Sequence, residues 1–318
     1  MRHSVAAAAP CPLRCRLYSA AFDVDQFIGP GQPGAQRWET VMAQQFDGKV
    51  AFITGAARGQ GRSHAVRFAE EGADIIAFDL CDQIGSVAYP MATREELDET
   101  VNLVEKTGRR IVAEQGDVRD FERLKAAVAN GVAELGRVDF VLANAGIMPG
   151  VGEQRYEVSA YVDAVEVLLN GVYYTVEAAL PALLEHGDGG AIVITSSAAG
   201  LNSLCPKFSL RSHGYAGYHA AKHGVVGLMR YYATSLAEKN IRVNTVHPSG
   251  VATPMIFNEA VERNMVEHPE GNSALENLLP VPVLESADIT EAMVYLCGQP
   301  GRYITGVTLP VDAGYSVK

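Results

Sequence analysis

A tyrosine and a lysine four residues apart are the side chains of this sequence best suited to proton transfer. Tyr218 and Lys222 lie in Gly217–Glu238, where the apolar pattern predicts a helix. Residues four apart share a helix face. A lysine charge about 4 Å away, at an effective dielectric of about 20, would favour the ionised tyrosine by up to roughly 4 kcal/mol. We therefore predict that Lys222 lowers the pKa of Tyr218, which then exchanges a proton with a substrate oxygen.

Nearby residues of the same types compete for these roles. Ser196 and Ser197 end a predicted strand, and because side chains alternate along a strand only one can face the site. We assign Ser197 to hydrogen-bond the substrate oxygen. Tyr215 has no lysine four residues later. His219 and His223 have the spacing of zinc ligands, but they lack an HExxH glutamate and lie about 100° around the helix from Tyr218 and Lys222, so we predict no metal site.

A glycine-rich loop follows the first predicted strand. Val50–Thr54 is apolar and leads into a loop from Gly55 to Gly61, after which a helical pattern begins. Glycines let the backbone approach a pyrophosphate, and the N-terminus of the following helix attracts its charge. A tight structural turn is the alternative, but the strand–loop–helix context favours dinucleotide binding. The predicted loop contacts are Gly55, Arg58, Gly59, Gln60 and Gly61.

An acidic residue at the end of the second strand favours NAD over NADP. Asp79 lies 24 residues after Gly55, where a carboxylate accepts hydrogen bonds from the adenosine ribose and repels a 2′-phosphate. Arg58 could instead bind that phosphate, although an ion pair with Asp79 would occupy it; Asp79 could also be a solvated carboxylate. After the third strand, Asp117 and Val118 could hold the adenine, and Asp117 could equally be a turn residue.

The elements that must position these residues alternate along the chain. Predicted strands are Val50–Thr54, Asp74–Asp79, Arg109–Glu114, Val138–Ala143, Ala191–Ser196, Ile241–Val246 and Val307–Asp312. Predicted helices are Gly61–Glu71, Glu95–Lys106, Phe121–Glu134, Tyr161–Leu184, Gly217–Glu238 and Ala287–Cys297. Such alternation predicts an α/β fold: a single-domain, Rossmann-type, doubly wound parallel sheet with helices on both faces.

The domain is predicted over residues 46–318. Residues 1–45 lack periodicity and are expected to be a disordered or non-native extension, with a targeting peptide as the weaker alternative. Two connections are unusually long: Leu80–Thr93, and a proline- and methionine-rich segment at about 249–285 that we expect to be a mobile substrate lid. Its apolar residues are Met255, Ile256, Phe257, Met265, Leu275, Leu278 and Leu279, for which core packing or a subunit contact is the alternative.

Composition excludes several classes of protein. The formal net charge of −11 argues against nucleic-acid binding. No uninterrupted apolar run approaches the roughly 18 residues of a membrane span. The five cysteines form no CxxC pair and are typical of reduced thiols, so we expect a cytoplasmic protein.

Taken together, these motifs resemble the short-chain dehydrogenase/reductase family. The matching segments are Thr54–Gly61, Asn144–Gly146, Asn170, Ser196–Gly200, Tyr218–Lys222 and Pro248–Gly250. The resemblance implies that Asn170 keeps a water linking Lys222 to solvent, and that Asn144, Ala145 and Gly146 support the strands beside the cofactor. It also implies that Pro248, Val251 and Thr253 lie near the nicotinamide, that Tyr218 and Lys222 contact the cofactor, and that the protein is a homotetramer.

A narrower resemblance concerns the mycofactocin-coupled subgroup, which includes carveol dehydrogenases. It rests on the inserted stretch from Asp79 to Pro90 with Ala92, Thr93 and Leu97, and on the segments Lys222–Arg230 and Val246–Met255. It implies tightly held NAD, reoxidised in place by mycofactocin or another redox partner, and a small hydrophobic secondary alcohol or ketone as substrate. Two alternatives stay open: a free-NAD(P) carbonyl reductase of the 3-oxoacyl or steroid type, and a non-catalytic dinucleotide sensor.

Overall fold

Seven short apolar segments form one parallel sheet in the computed structural model, which describes residues 44–205, 207–269 and 276–318. The spatial order is β3-β2-β1-β4-β5-β6-β7. The strands are β1 (Val50–Thr54), β2 (Asp74–Asp79), β3 (Ile111–Gln115), β4 (Phe140–Ala143), β5 (Gly190–Thr195), β6 (Ile241–Pro248) and β7 (Thr308–Val311). The order reverses between β1 and β4, which creates a crevice at the carboxyl ends of the strands. The predicted doubly wound sheet is confirmed.

Helices cover both faces of the sheet. They are α1 (Gly59–Glu70), α2 (Arg94–Lys106), α3 (Phe121–Leu135), α4 (Val158–Val165), α5 (Gly171–Glu185), α6 (His213–Ser235), α7 (Glu259–Glu267) and α8 (Ser286–Cys297). Alternate residues of β1 face opposite cores: Phe52 packs with residues of α3, α5 and α6, while Ile53 packs with α1, α2 and α8.

The helix predicted over Tyr161–Leu184 differs from the prediction. Between α4 and α5 the chain forms a π-helical turn over Glu166–Asn170. Side-chain periodicity hides such a turn because it inserts a residue without ending the apolar pattern. Asn170, one of the predicted site residues, is its last residue.

The same stretch is long and apolar enough by composition to cross a membrane. Of the most apolar part of Val158–Glu185, 56% is nevertheless buried within the fold. Val172, Val176 and Leu183 belong to the core on one side of the sheet. The stretch therefore serves as a core helix here.

The N-terminal extension predicted over residues 1–45 lies outside the described residues except for Gln44 and Gln45, which form a turn. Phe46 follows and is buried against Phe68 and Phe140. Phe46 therefore belongs to the core of the described fold.

Backbone hydrogen bonds join the two ends of the long segment predicted at about 249–285. The Ala252 amide donates to the Leu284 carbonyl (2.7 Å), and the Leu284 amide donates to the Gly250 carbonyl (2.8 Å). Within the segment, α7 has no buried residue. Buried Arg155 donates to Asn264 of α7 and contacts His268 Nε2 at 2.9 Å. The described part of the lid therefore has fixed ends and an exposed helix.

We predict that Gly61→Ala strongly destabilises the protein. A Cβ at Gly61 would lie 1.9 Å from the Gly55 carbonyl oxygen, a clash with backbone that no side-chain rotation can relieve. The free energy of unfolding should fall by more than about 2 kcal/mol. Denaturant unfolding measures it.

Gly227→Ala is the matched control. Gly227 lies in α6, and a Cβ placed on it would have no neighbouring atom within 4 Å, so alanine should raise the free energy of unfolding by up to about 1 kcal/mol. Equal stability of the two variants would contradict the packing argument.

Candidate active site

The glycine-rich loop forms a tight turn between β1 and α1. Gly55 and Gly59 have φ of +68° and +55°, the left-handed region that disfavours other residues. A Cβ at Gly55 would lie 2.8 Å from the Ala145 Cα, so the loop also packs directly on the segment after β4. The N-terminus of α1 faces the crevice, as a pyrophosphate site requires.

Three strand ends are joined beneath this loop. The Thr54 hydroxyl accepts hydrogen bonds from the amides of Asn144 and Ala145 (3.2 Å each). The Asn144 side chain donates to the Thr54 carbonyl (3.1 Å) and accepts from the Thr195 hydroxyl (3.1 Å). Asn144 thus connects β1 with β5 and fixes the floor of the crevice.

A cleft that is partly open to solvent runs along the carboxyl edge of the sheet. Twelve of the predicted cofactor residues line it: Gly55, Arg58, Gly59, Gln60, Gly61, Asp79, Asp117, Val118, Asn144, Ala145, Gly146 and Thr253. Gly146 adjoins the predicted catalytic residues, since a Cβ built on it would lie 4.0 Å from the Lys222 Nζ.

Asp79 is buried at the end of β2, and each carboxylate oxygen accepts one backbone hydrogen bond. Oδ2 accepts from the Ala57 amide (2.9 Å) and Oδ1 from the Cys81 amide (3.2 Å). Burial raises the pKa of Asp79, and these hydrogen bonds oppose the rise. Each oxygen retains a lone pair, so the carboxylate can also accept from a ribose hydroxyl.

Arg58 has other partners than Asp79. Its guanidinium donates to the Pro90 carbonyl (2.6 Å) and pairs with Glu96 (3.4 Å). The anticipated ion pair with Asp79 is therefore replaced by one with Glu96, because the insertion brings Pro90 and α2 over the loop. The Arg58 charge is still compensated, which leaves less of it for a 2′-phosphate.

Asp117 and Val118 both line the cleft after β3. The Asp117 carboxylate is engaged by Arg119, accepting from its backbone amide (2.8 Å) and pairing with its guanidinium (2.6 Å). Asp117 is thus a turn residue as well as a wall of the cleft. Val118 is buried beside Gly171 and offers an apolar surface.

The two serines after β5 point to different partners. The Ser196 hydroxyl donates to the Lys222 backbone carbonyl (2.9 Å), so it ties β5 to α6. The Ser197 hydroxyl accepts from the Ala199 amide (3.1 Å) and lies close enough to Tyr218 to lower the pKa of that side chain. Ser197 and Tyr218 therefore present neighbouring hydroxyl groups, and Ser196 does not join them.

Lys222 is buried, and its ammonium donates to the Thr195 carbonyl (2.8 Å). Burial lowers its pKa to about 7. Burial raises the pKa of Tyr218, while the nearby Ser197 hydroxyl lowers it. The prediction that Lys222 lowers the pKa of Tyr218 is thus not met here: Lys222 Nζ lies 5.7 Å from the tyrosine ring centre and is directed at Thr195.

Asn170 is half-buried at the end of the π turn, which packs beside α6. Within the described ranges, no hydrogen bond joins its side chain directly to Lys222 or Tyr218. A link between Asn170 and Lys222 would require a bridging water.

Of the three cofactor contacts predicted near the end of β6, one lines the cleft and two do not. Thr253 lines the cleft and lies close to Gly59, where a Cβ would be 3.2 Å from its methyl group. Val251 is instead buried in the core beside Leu284, and Pro248 ends β6 opposite Val311. Neither side chain lines the cleft.

The histidines on α6 hold backbone groups. His219 Nδ1 contacts the Tyr215 carbonyl (2.7 Å), and its Nε2 accepts from the Leu204 amide (2.8 Å). His223 Nδ1 contacts the His219 carbonyl (3.0 Å). His219 therefore anchors the segment between Ser197 and α6.

Several cleft residues were not predicted individually. Tyr89 is buried in the insertion, its hydroxyl accepts from the Met148 amide (3.1 Å), and an ionised Tyr218 contributes to raising its pKa, after burial itself. The length of the insertion was the sequence feature that pointed to this region. The other additions are Leu80, Ile84, Met91, Ala92, Gly116, Ile147, Val167 and Pro254, while Met255 was already predicted as a lid residue.

A family model described as Enoyl-(Acyl carrier protein) reductase matches residues 55–316. Together with the sheet order and the Ser197, Tyr218 and Lys222 cluster, this match shows that the chain belongs to the short-chain dehydrogenase/reductase family of oxidoreductases.

Particular relatives narrow the comparison. An uncharacterized oxidoreductase of Mycobacterium tuberculosis is 52% identical over 271 residues, 85% of this chain and 96% of that protein. The (-)-trans-carveol dehydrogenase of Rhodococcus erythropolis is 45% identical over 86% of this chain and 99% of its own. The crystal structure of carveol dehydrogenase from Mycobacterium avium in complex with NAD has a TM-score of 0.79 and 45% identity, covering 86% of this chain and 100% of that one.

We predict that Tyr218→Phe abolishes turnover, because it removes only the oxygen that exchanges a proton. The rate constant kcat should fall by about 10²–10⁴-fold, as expected for loss of general acid–base catalysis. Steady-state kinetics and cofactor titration are the measurements, and cofactor affinity should change little.

Tyr215→Phe is the control, since Tyr215 is also a largely buried tyrosine, one turn earlier on α6. It should keep near-normal kcat. Comparable losses in the two variants would show that Tyr218 has no special role.

Proposed function

We propose that this protein oxidises a hydrophobic secondary alcohol to its ketone, and catalyses the reverse reduction, with NAD as hydride carrier. The observation that carries the proposal is the proximity of the Ser197 and Tyr218 hydroxyl groups, beside buried Lys222 and next to a glycine-lined cleft. Two adjacent hydroxyls can hold one substrate oxygen, and one of them can exchange its proton.

Each polar residue has a distinct role in this proposal. Ser197 donates to the substrate oxygen and orients the carbinol carbon. Tyr218 accepts the alcohol proton during oxidation and returns it during reduction. Lys222, through a water held by Asn170, exchanges the proton with solvent. Bound NAD would supply the acceptor for the hydride.

The cleft fits NAD by its own geometry. The backbone at Gly61 leaves no room for a side chain beside the phosphate-binding turn. Asp79 keeps acceptor capacity for ribose hydroxyls, and the Gln60 Oε1 is buried without a hydrogen-bond partner within the described residues, which suits a donor from a ligand. A carboxylate at Asp79 disfavours the 2′-phosphate of NADP.

The substrate class follows from apolar side chains and from the relatives. Ile147, Val167 and Met255 line the cleft with no charge among them. Carveol is a cyclic secondary alcohol, and a relative named for its oxidation is 45% identical. A cyclic, apolar alcohol therefore fits better than an acyl thioester with a charged carrier.

The test is NAD-linked oxidation of carveol, cyclohexanol and aliphatic secondary alcohols by the purified protein, supplied with an artificial electron acceptor. We expect cyclic alcohols to be oxidised with NAD in preference to NADP. Preferred reduction of a 3-oxoacyl thioester or a steroid ketone with free NADPH would instead support a carbonyl reductase.

Asp79→Ser tests the cofactor assignment in the same assay. Removing the carboxylate should weaken NAD binding and narrow the preference over NADP, measured by calorimetry on wild type and variant. Equal NAD and NADP affinities in the wild type would contradict the role of Asp79.

We further propose that NAD stays bound between turnovers and is reoxidised in place by mycofactocin or another redox partner. Support comes from how the insertion is fastened. The Ser86 hydroxyl donates to Asp163 Oδ2 on α4 (2.7 Å), and Arg119 pairs with the other oxygen of Asp163 (3.1 Å). Tyr89 is buried against Met148. These contacts hold the insertion across the cleft, which slows escape of a bound cofactor.

To test retention, the protein is purified without added cofactor, desalted, and given alcohol alone. We expect one equivalent of NADH to form and the reaction then to stop until an artificial acceptor is added. Steady turnover with free NAD and no acceptor would refute retention while leaving the dehydrogenase activity established.

Ser86→Ala should raise the NADH dissociation rate by about tenfold, because the loss of one hydrogen bond to a charged group changes an equilibrium constant by about that factor. Ser235→Ala is the control, because the hydrogen bond that Ser235 makes among the described residues lies within α6. Stopped-flow fluorescence of NADH release measures both.

We also propose that the protein is cytoplasmic and forms a homotetramer. Cys81, Cys205 and Cys297 are free thiols, which favours the reducing cytoplasm. Exposed apolar side chains on α4, α5 and α6, among them Val162, Tyr173 and Tyr231, support contacts between subunits of a homotetramer.

A further inference from the structure

A histidine beneath Ser197 has no role in the mechanism so far. His247, on β6, is fully buried. Its Nδ1 lies 2.8 Å from the Ser197 carbonyl oxygen and its Nε2 lies 2.8 Å from the Thr245 hydroxyl. The imidazole therefore bridges the strand it belongs to and the residue that carries the substrate-binding hydroxyl.

The protonation of this imidazole follows from its partners. A carbonyl oxygen can only accept, so Nδ1 must carry the hydrogen. Nε2 then accepts from the Thr245 hydroxyl, whose other neighbour, the Val307 carbonyl, is more distant at 3.4 Å. Burial lowers the pKa of His247 to about 4, so the ring is neutral at physiological pH. A neutral ring adds no second positive charge near Lys222.

The residues around Ser197 show why such a contact matters. Thr195 is held by Asn144 and Lys222, and Ser196 by the Lys222 carbonyl. Ser197 has an extended backbone (φ −169°), and its carbonyl accepts from the Gly200 amide within the same short turn (2.8 Å). His247 is the side chain that fixes this carbonyl to the sheet. Without it the backbone at Ser197 would be less firmly held, and a shift of its Cα would carry the hydroxyl away from Tyr218.

We propose that His247 is a positioning residue for the dehydrogenase reaction, holding the Ser197 carbonyl so that the Ser197 hydroxyl meets the substrate oxygen beside Tyr218. This inference rests on the proposed function, because it assigns His247 an effect that acts through Ser197.

Two amide substitutions separate the two hydrogen bonds of the ring. In His247→Asn the side-chain amide can occupy the place of Nδ1 and keep the donor to Ser197. In His247→Gln the amide reaches the place of Nε2 instead and loses that donor. We expect kcat/KM within about threefold of wild type for His247→Asn and lower by about 10–100-fold for His247→Gln. NAD affinity and melting temperature should be similar in both variants.

A double-mutant cycle tests whether the effect passes through Ser197. Ser197→Ala should lower kcat/KM, and adding His247→Gln to Ser197→Ala should lower it no further, because the hydroxyl to be positioned is gone. Additive losses, or equal losses in the Asn and Gln variants with lowered melting temperature, would show a merely structural role and overturn the inference. An active Ser197→Ala enzyme would overturn the role of Ser197 itself, and this inference with it.

Discussion

The buried ammonium group of Lys222 is the constraint on which the rest of the site depends. Its side chain is bound to the Thr195 carbonyl, and its backbone carbonyl accepts from Ser196, so one residue joins α6 to the end of β5 twice. These two contacts set the position of Tyr218, one turn earlier, relative to Ser197. Burial of a charge costs stability, which the lowered pKa of about 7 reflects. Because the unfolded lysine titrates near 10, that cost is greatest below pH 7 and declines as the pH rises towards 10.

The two long segments around the cleft are fastened in different ways. The Leu80–Thr93 insertion has buried contacts through Ser86 and Tyr89, and it ends in a capping box at Thr93 and Glu96 that starts α2. The described part of the lid is joined at its base, but α7 has no buried residue. Local stability follows buried contacts, so the adenosine side of the cleft is the more rigid one.

Much of this architecture could be predicted from the sequence, because apolar periodicity and glycine position have direct physical meaning. The β1–loop–α1 unit, the doubly wound sheet and the shared helix face of Tyr218 and Lys222 follow from pattern and spacing, and the resemblance to the family adds Ser197 to them. The π turn before Asn170 could not be predicted, since one extra residue leaves the apolar pattern intact. The Glu96 partner of Arg58 depends on how the insertion folds, and the direction of the Lys222 ammonium depends on a carbonyl 27 residues away along the chain. Tertiary contacts of this kind produce no periodic pattern in the sequence.

The backbone pairing of Gly250 and Ala252 with Leu284 determines how readily the sequence of the long segment can vary. Gly250, Ala252 and Leu284 bring the two ends of the segment together through backbone hydrogen bonds, so its closure does not depend on the side chains between them. A loop whose ends already meet can gain, lose or exchange residues at little entropic cost. The segment is therefore a replaceable module, which can be exchanged by recombination or design while β6, α8 and the residues Ser197, Tyr218 and Lys222 remain as they are.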